Sequence, residues 1–182
     1  DTEKLLAKYW MQAAHEAGFP MELHHVLGIR SLAAVFAKPK LQGVFGDSFD
    51  YEAIRARRRE LTAQHIAAHG IELKPGIIEL LDYCNENGIR CAVATATDRE
   101  RTRDYLSQAG IYDRFDTFVC GDMVHKGKPD PEIYLTASQT LGLPPASCMA
   151  LEDSPNGIRS ASAAGCRAVM IPDLSQPEAE LK

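Results

Sequence analysis

The chain has 182 residues, of which 45% are hydrophobic and 25% charged, and its formal net charge is -5. That composition is ordinary for a globular protein with a real core. It offers no basic footprint for nucleic acid and no apolar run near the ~18 residues that a membrane span needs. Five cysteines (Cys84, Cys91, Cys120, Cys148, Cys166) include no C-x-x-C, and four lie in or beside short apolar runs. They read as free thiols acting as small core hydrophobes in a reducing compartment. With no signal-peptide pattern, the expected location is the cytoplasm and the expected state a monomer.

Residues 1–70 read as helical. Leu5, Leu6, Tyr9 and Trp10 form one apolar face, and Ile54, Leu61, Ile66 and Ala67 recur near a helical period. Breaks between helices are expected at Gly18-Phe19-Pro20, Lys38-Pro39 and Gly46-Asp47-Ser48. The basic run Arg55 to Arg59 (RARRR) reads as a solvated helix face.

From residue 71 to 182 the chain alternates between strand and helix. A helix opens at Lys74-Pro75-Gly76 and is closed by Gly88, followed by a strand from Ile89 to Thr95. Arg99 to Ala109 is helix closed by Gly110, and Thr117 to Cys120 is strand. Pro131 to Leu141 is helix closed by Gly142, and Ser147 to Leu151 is strand. Pro155 to Ala164 is helix closed by Gly165, and Cys166 to Ile171 is strand. Apolar strands separated by helices predict an α/β fold with a parallel sheet covered on both faces.

Ligands of such sheets bind beyond the carboxyl ends of the strands. Three segments bring polar residues there: Thr95-Ala96-Thr97-Asp98, the loop from Gly121 to Pro131 with Lys128, and Glu152-Asp153-Ser154. A hydroxyl, a lysine and paired carboxylates suit a phosphate and a hard cation. Mg²⁺ takes oxygen ligands, mostly water and phosphate with one or two carboxylates, while lysine supplies a compact positive charge to phosphate oxygens. The adjacent carboxylates Glu152 and Asp153 would repel a phosphate unless a metal ion lay between. Each feature also has a structural reading, with Thr97 or Asp98 capping the following helix and Ser154-Pro155 opening another. His65 and His69 have metal-ligand spacing but no evident third ligand, His24-His25 reads as a surface pair, and His125 lies near Lys128.

Strand-ending Thr95, the segment Lys128-Pro129-Asp130-Pro131-Glu132-Ile133-Tyr134 and the segment Glu152-Asp153-Ser154-Pro155-Asn156-Gly157-Ile158 resemble three motifs of the haloacid dehalogenase-like hydrolases. The resemblance is closest to the branch of β-phosphoglucomutases and sugar-phosphate phosphatases. It implies a Rossmann-like core over 71–182 with an α-helical cap over 1–70, and Gly28-Ile29-Arg30-Ser31 falls where caps of this kind carry a glycine-centred specificity loop. Thr95, Ala96, Thr97 and Lys128 would bind phosphate or substrate, Thr95, Lys128 and Asp153 would be catalytic, and Glu152 and Asp153 would hold Mg²⁺. The implied reaction is hydrolysis of a small phosphorylated metabolite through an aspartyl phosphate. Its nucleophile, in a D-x-D-G motif, is expected upstream of Asp1, and a further helix is expected beyond Leu174. Leu6 and Tyr9 stand where mutases carry a histidine and an alanine, which favours a phosphatase over a mutase. The remaining alternative is an inactive phosphate-binding module.

Overall fold

The computed structural model of the chain describes residues 2–30, 32 and 34–174, in two compact units, Asp1–Glu72 and Leu73–Lys182.

Among its described residues the first unit holds four helices: α1 (Glu3–Glu16), α2 (Leu23–Ile29), α3 (Ala34–Phe45) and α4 (Tyr51–His69). Helices α1 and α4 lie against each other, with Ala7, Tyr9, Trp10, Ala13 and Ala14 meeting the side of Ile54, Leu61 and Ile66. Met21 and Phe49 are fully buried beneath the turns, each contributing about 1.5–3 kcal/mol relative to exposure. Three expectations change here. Ala67 is exposed and Thr62 takes its place in the buried face, its hydroxyl donating to the Arg58 carbonyl at 2.8 Å. Arg58 is buried with its guanidinium 5.2 Å from the Trp10 ring centre; the basic run is therefore not wholly solvated. Pro39 lies inside α3 rather than breaking it. A proline there removes one hydrogen bond, to the carbonyl four residues earlier, and that residue, Val35, is 69% exposed, so its carbonyl can face water.

The second unit alternates as anticipated: α5 (Ile77–Glu86), β1 (Ala92–Ala94), α6 (Arg99–Gln108), β2 (Thr117–Val119), α7 (Glu132–Thr140), β3 (Met149–Glu152), α8 (Pro155–Ala163) and β4 (Arg167–Met170). Among the described residues all strand pairing is parallel. Strand β1 pairs with β2 and β3 with β4, as two two-stranded ladders. Gly88, Gly110, Gly142 and Gly165 follow their helices at φ of +65° to +86°, the left-handed conformation that stops a helix.

Strand β1 is shorter than the predicted Ile89–Thr95, because its first half is spent elsewhere. The Ile89 N–H closes the end of α5 on the Cys84 carbonyl at 2.8 Å, and the Cys91 N–H donates to the Asp116 carboxylate at 2.7 Å. The core of the unit is Val119, Ile133, Tyr134, Ala137, Ala150, Ala161 and Ala164. Helix α7 packs on β1 and β2, and α8 on β3 and β4. Small residues on the strands let the helices approach closely, and this places the first turns of α7 and α8 beside the strand ends. No helix among the described residues is long and apolar enough to cross a membrane.

Candidate active site

Thr95 follows β1 and still donates its N–H to the Val119 carbonyl at 3.0 Å, so its position is fixed by the ladder. Its Oγ1 accepts the Thr97 N–H at 3.1 Å, a local turn that holds the hydroxyl at the strand end. Ala96 is exposed. The Thr97 carbonyl accepts the Gly121 N–H at 2.9 Å, and a Cβ on Gly121 would lie 2.9 Å from the Ala96 carbonyl carbon. Glycine thus lets the loops after β1 and β2 run in contact.

Asp98, not Thr97, caps α6, accepting from the Arg101 N–H at 3.0 Å and from Arg101 Nε at 2.7 Å. Burial works against its ionisation, but these bonds prevail and hold its carboxyl below the usual value.

The loop before α7 is tied by Glu132, whose carboxylate accepts the backbone N–H of His125 at 2.9 Å and of Lys126 at 2.8 Å. Those bonds, with the His125 one foremost, hold its carboxyl below the usual range. The Asp130 carbonyl accepts from Ser160 Oγ on α8 at 2.6 Å. The loop carries a cis Lys128–Pro129 peptide and turns Lys128 inward while its neighbours Gly127 and Pro129 stay exposed.

Lys128 is only 9% exposed. Its Nζ donates to the Ala94 carbonyl at 3.1 Å, to Tyr134 Oη at 3.4 Å and to the Glu152 carboxylate. It therefore joins the carboxyl end of β1 to that of β3. Glu152, 8% exposed, also accepts from Tyr134 Oη, and its other oxygen lies 3.4 Å from Ser154 Oγ. Burial first, and then the adjacent Glu152 carboxylate, push the Tyr134 phenol far above its ordinary value.

Ser154 caps α8, accepting the Gly157 N–H at 3.0 Å. Gly157 carries no side chain for a direct reason: a Cβ there would fall on the Glu152 carboxylate. The carboxylate rests against the first turn of α8, where the helix end favours negative charge.

Thr95, Lys128 and Glu152 are thus brought to neighbouring strand ends, with Thr97 in the turn beside Thr95 and half-buried Asp153 directly following Glu152. The His125 side chain is exposed, and only its backbone enters the network. In the first unit His25 completes a capping box on α2 with Glu22, whose N–H donates to His25 Nδ1 at 3.0 Å. Gly28 and Ile29 belong to α2 rather than to a loop, Arg30 pairs with Glu3 at 3.1 Å, and Ser31 and Asp1 lie outside the described residues.

Tyr134 is the residue that reading the sequence did not single out. Its signal was an aromatic hydroxyl six residues after Lys128, on the side of α7 that carries Ile133 and Ala137 into the core. A buried phenol needs a partner, and the lysine and the glutamate supply it.

Glu152 and Asp153 present hard oxygen donors, the chemistry Mg²⁺ takes, and one or two carboxylates suffice when water and phosphate fill the remaining positions. Among the described residues there is no cluster of three or more His, Cys, Asp or Glu side chains placed to hold a metal ion.

The haloacid dehalogenase-like hydrolase family matches residues 5–165 of the chain. Protein CbbY of Rhodobacter capsulatus is 44% identical over 112 residues, which are 59% of this chain and 48% of that protein. Hexitol phosphatase A of Escherichia coli K12 is 38% identical over 111 residues, 59% of this chain and 51% of that protein. The match thus spans about half the length of these relatives. The crystal structure of CbbY from Rhodobacter sphaeroides in complex with phosphate superposes with a TM-score of 0.78 at 29% identity, covering 98% of this chain and 84% of that one. Motif wording, fold and family match coincide over the same residues, and the chain belongs to the haloacid dehalogenase-like hydrolases.

Proposed function

We propose that the chain carries the phosphotransfer core of a Mg²⁺-dependent phosphatase acting on a small phosphorylated metabolite of the sugar-phosphate class, with residues 1–70 as its helical cap. The observation that carries this reading is the buried ammonium of Lys128, held at the ends of β1 and β3 within one residue of Thr95 and against Glu152. A fixed positive charge in a poorly solvated place is what a transferring phosphoryl group requires. The names of the relatives, a hexitol phosphatase and a phosphate-bound CbbY, support a substrate of this class.

Thr95 would bind the phosphoryl group through its hydroxyl. The Thr97 N–H occupies an acceptor position on that oxygen, which leaves the O–H to point at a phosphate oxygen. Lys128 would neutralise charge as the bond to the leaving oxygen breaks. Ala96 and Thr97 line the approach. Glu152 and Asp153 would hold Mg²⁺, which when bound offsets phosphate charge and orients the group. The aspartyl-phosphate route also needs a nucleophilic aspartate of the D-x-D-G kind. The reading places the protein in the cytoplasm and as a monomer.

The test is steady-state hydrolysis of a panel of sugar phosphates, with and without Mg²⁺. Lys128→Ala should lower kcat by about 10²–10³, and Asp153→Asn should weaken Mg²⁺ activation and turnover together. Full activity in Lys128→Ala would remove the anion site assigned to it. Conversion of β-glucose 1-phosphate with a bisphosphate activator would establish a mutase. Binding of phosphate esters without turnover would establish the inactive module.

A further inference from the structure

A second cluster of ligating side chains lies in the helical unit, remote in sequence from every residue of the candidate active site. His65 and His69 are one turn apart on α4, the spacing that sets two side chains on one face. Their rings stack with centroids 4.5 Å apart and an interplanar angle of 24°. His69 Nδ1 lies 3.1 Å from the His65 carbonyl. A carbonyl only accepts, so this Nδ1 carries the proton and Nε2 carries the lone pair. His65 Nδ1 lies 3.0 Å from Tyr9 Oη on α1. When Nδ1–H donates to that oxygen, the lone pair of His65 is likewise on Nε2. An imidazole that ligates a metal through one nitrogen and donates from the other to an oxygen is the usual arrangement, since the second bond fixes the tautomer and the ring.

We infer that His65 and His69 form a two-imidazole site on α4 for a transition ion of the nickel–copper–zinc class, with Tyr9 as the outer partner of His65. Imidazole nitrogen selects these ions over Mg²⁺, so the site is chemically distinct from the carboxylate pair Glu152–Asp153. No cluster of three or more His, Cys, Asp or Glu side chains placed for a metal ion exists among the described residues, so the other positions fall to water and the ion exchanges freely. The inference stands apart from the phosphatase proposal and does not depend on it.

The experiment is a calorimetric titration of Ni²⁺ into the chain without a polyhistidine tag, in excess Mg²⁺ to occupy hard carboxylate sites. One Ni²⁺ per chain is expected. His69→Ala, at an exposed position that does not threaten the fold, should weaken binding tenfold or more, as should His65→Ala. Tyr9→Phe keeps the packed ring and should weaken binding by about 10-fold or more through the lost outer bond. As a second readout, Zn²⁺ should shift the imidazole proton resonances of His65 and His69 and leave those of His24, His25 and His125 in place. Absence of Ni²⁺ binding to the unmodified chain would overturn the site, as would affinity unchanged in both histidine variants. Unchanged affinity in Tyr9→Phe would overturn the role of Tyr9.

Discussion

Replacing Lys128 by Met keeps the length of the side chain and removes its charge, leaving the Glu152 carboxylate in a site where its side chain is 7% exposed. Breaking a buried ion pair from one side costs about 3–5 kcal/mol. Two donors remain on the carboxylate, Tyr134 Oη and Ser154 Oγ, and the first turn of α8 lies beside it. These bring the expected loss to the lower end, about 3 kcal/mol. Glu152→Gln leaves an ammonium that keeps the Ala94 carbonyl and the Tyr134 hydroxyl, so its cost is that of a weakened charged hydrogen bond, about 2 kcal/mol. Independent effects would sum to about 5 kcal/mol in the double variant. A thioether beside a neutral amide strands no charge, so the double variant should lose only about 2 kcal/mol, a coupling of about 3 kcal/mol. Urea unfolding of the four proteins, followed by circular dichroism, reads each value from the shift in midpoint. Losses that add to within about 0.5 kcal/mol would refute the reasoning, because residues that share no energetics behave in that way.

Two further outcomes follow from the same geometry. Gly157→Ala should destabilise the chain by up to about 2 kcal/mol, since overpacking against Glu152 (about 1–3 kcal/mol) offsets or exceeds the roughly 1 kcal/mol that alanine gains in a helix; in a Glu152→Ala background the variant should instead be stabilising, and urea midpoints of the four chains check it. At Asp98 the sign is set by its lowered carboxyl. The stabilisation it gives is present above its ordinary value of 3.8 and is lost as pH falls through the lower folded value. Its pairing with Arg101 is 37% exposed on the aspartate side, so screening limits that part to a few tenths of a kcal/mol. Asp98→Asn keeps the cap and should differ little at pH 7, with the small gap closing below pH 3.8; Asp98→Ala should cost about 1 kcal/mol at pH 7 through the lost cap. Thermal unfolding at the two pH values distinguishes them.

The order of elements in the second unit could be read because local signals agreed there: glycines at positive φ after each helix, Pro155 after a serine cap, and apolar strands between. Strand length could not be read, since the N–H groups of Ile89 and Cys91 go to a helix end and to a side chain rather than to the ladder, and both partners are tertiary. Pro39 misled for a related reason. Propensity counts the lost hydrogen bond, but the carbonyl it frees belongs to Val35, an exposed residue, where water can replace it. Arg58 looked like surface because its neighbours in the run read as surface; its contact with Trp10, on a different helix, is tertiary and could not be read. At the candidate site the residue types were legible and the pairing was not. Glu152 was read for a cation, and in the fold its partners are Lys128 and Tyr134, a contact that depends on three separate segments converging.

That convergence bears on how an anion would be received. An ammonium has three N–H donors, and Lys128 already has three acceptors: the Ala94 carbonyl, the Tyr134 hydroxyl and the Glu152 carboxylate. A phosphate oxygen arriving in the proposed reaction therefore exchanges with one of them rather than adding to them. The carbonyl is fixed by the β1–β2 ladder, and the carboxylate is the strongest of the three acceptors because it is charged. The Tyr134 hydroxyl is the most distant, at 3.4 Å, and it loses little by release because its own O–H donates to Glu152. The donor now directed at Tyr134 is the one that exchange would take. Tyr134 would then keep the carboxylate in place while the lysine turned to the phosphate, and the strut between the two strand pairs would survive binding of the proposed substrate.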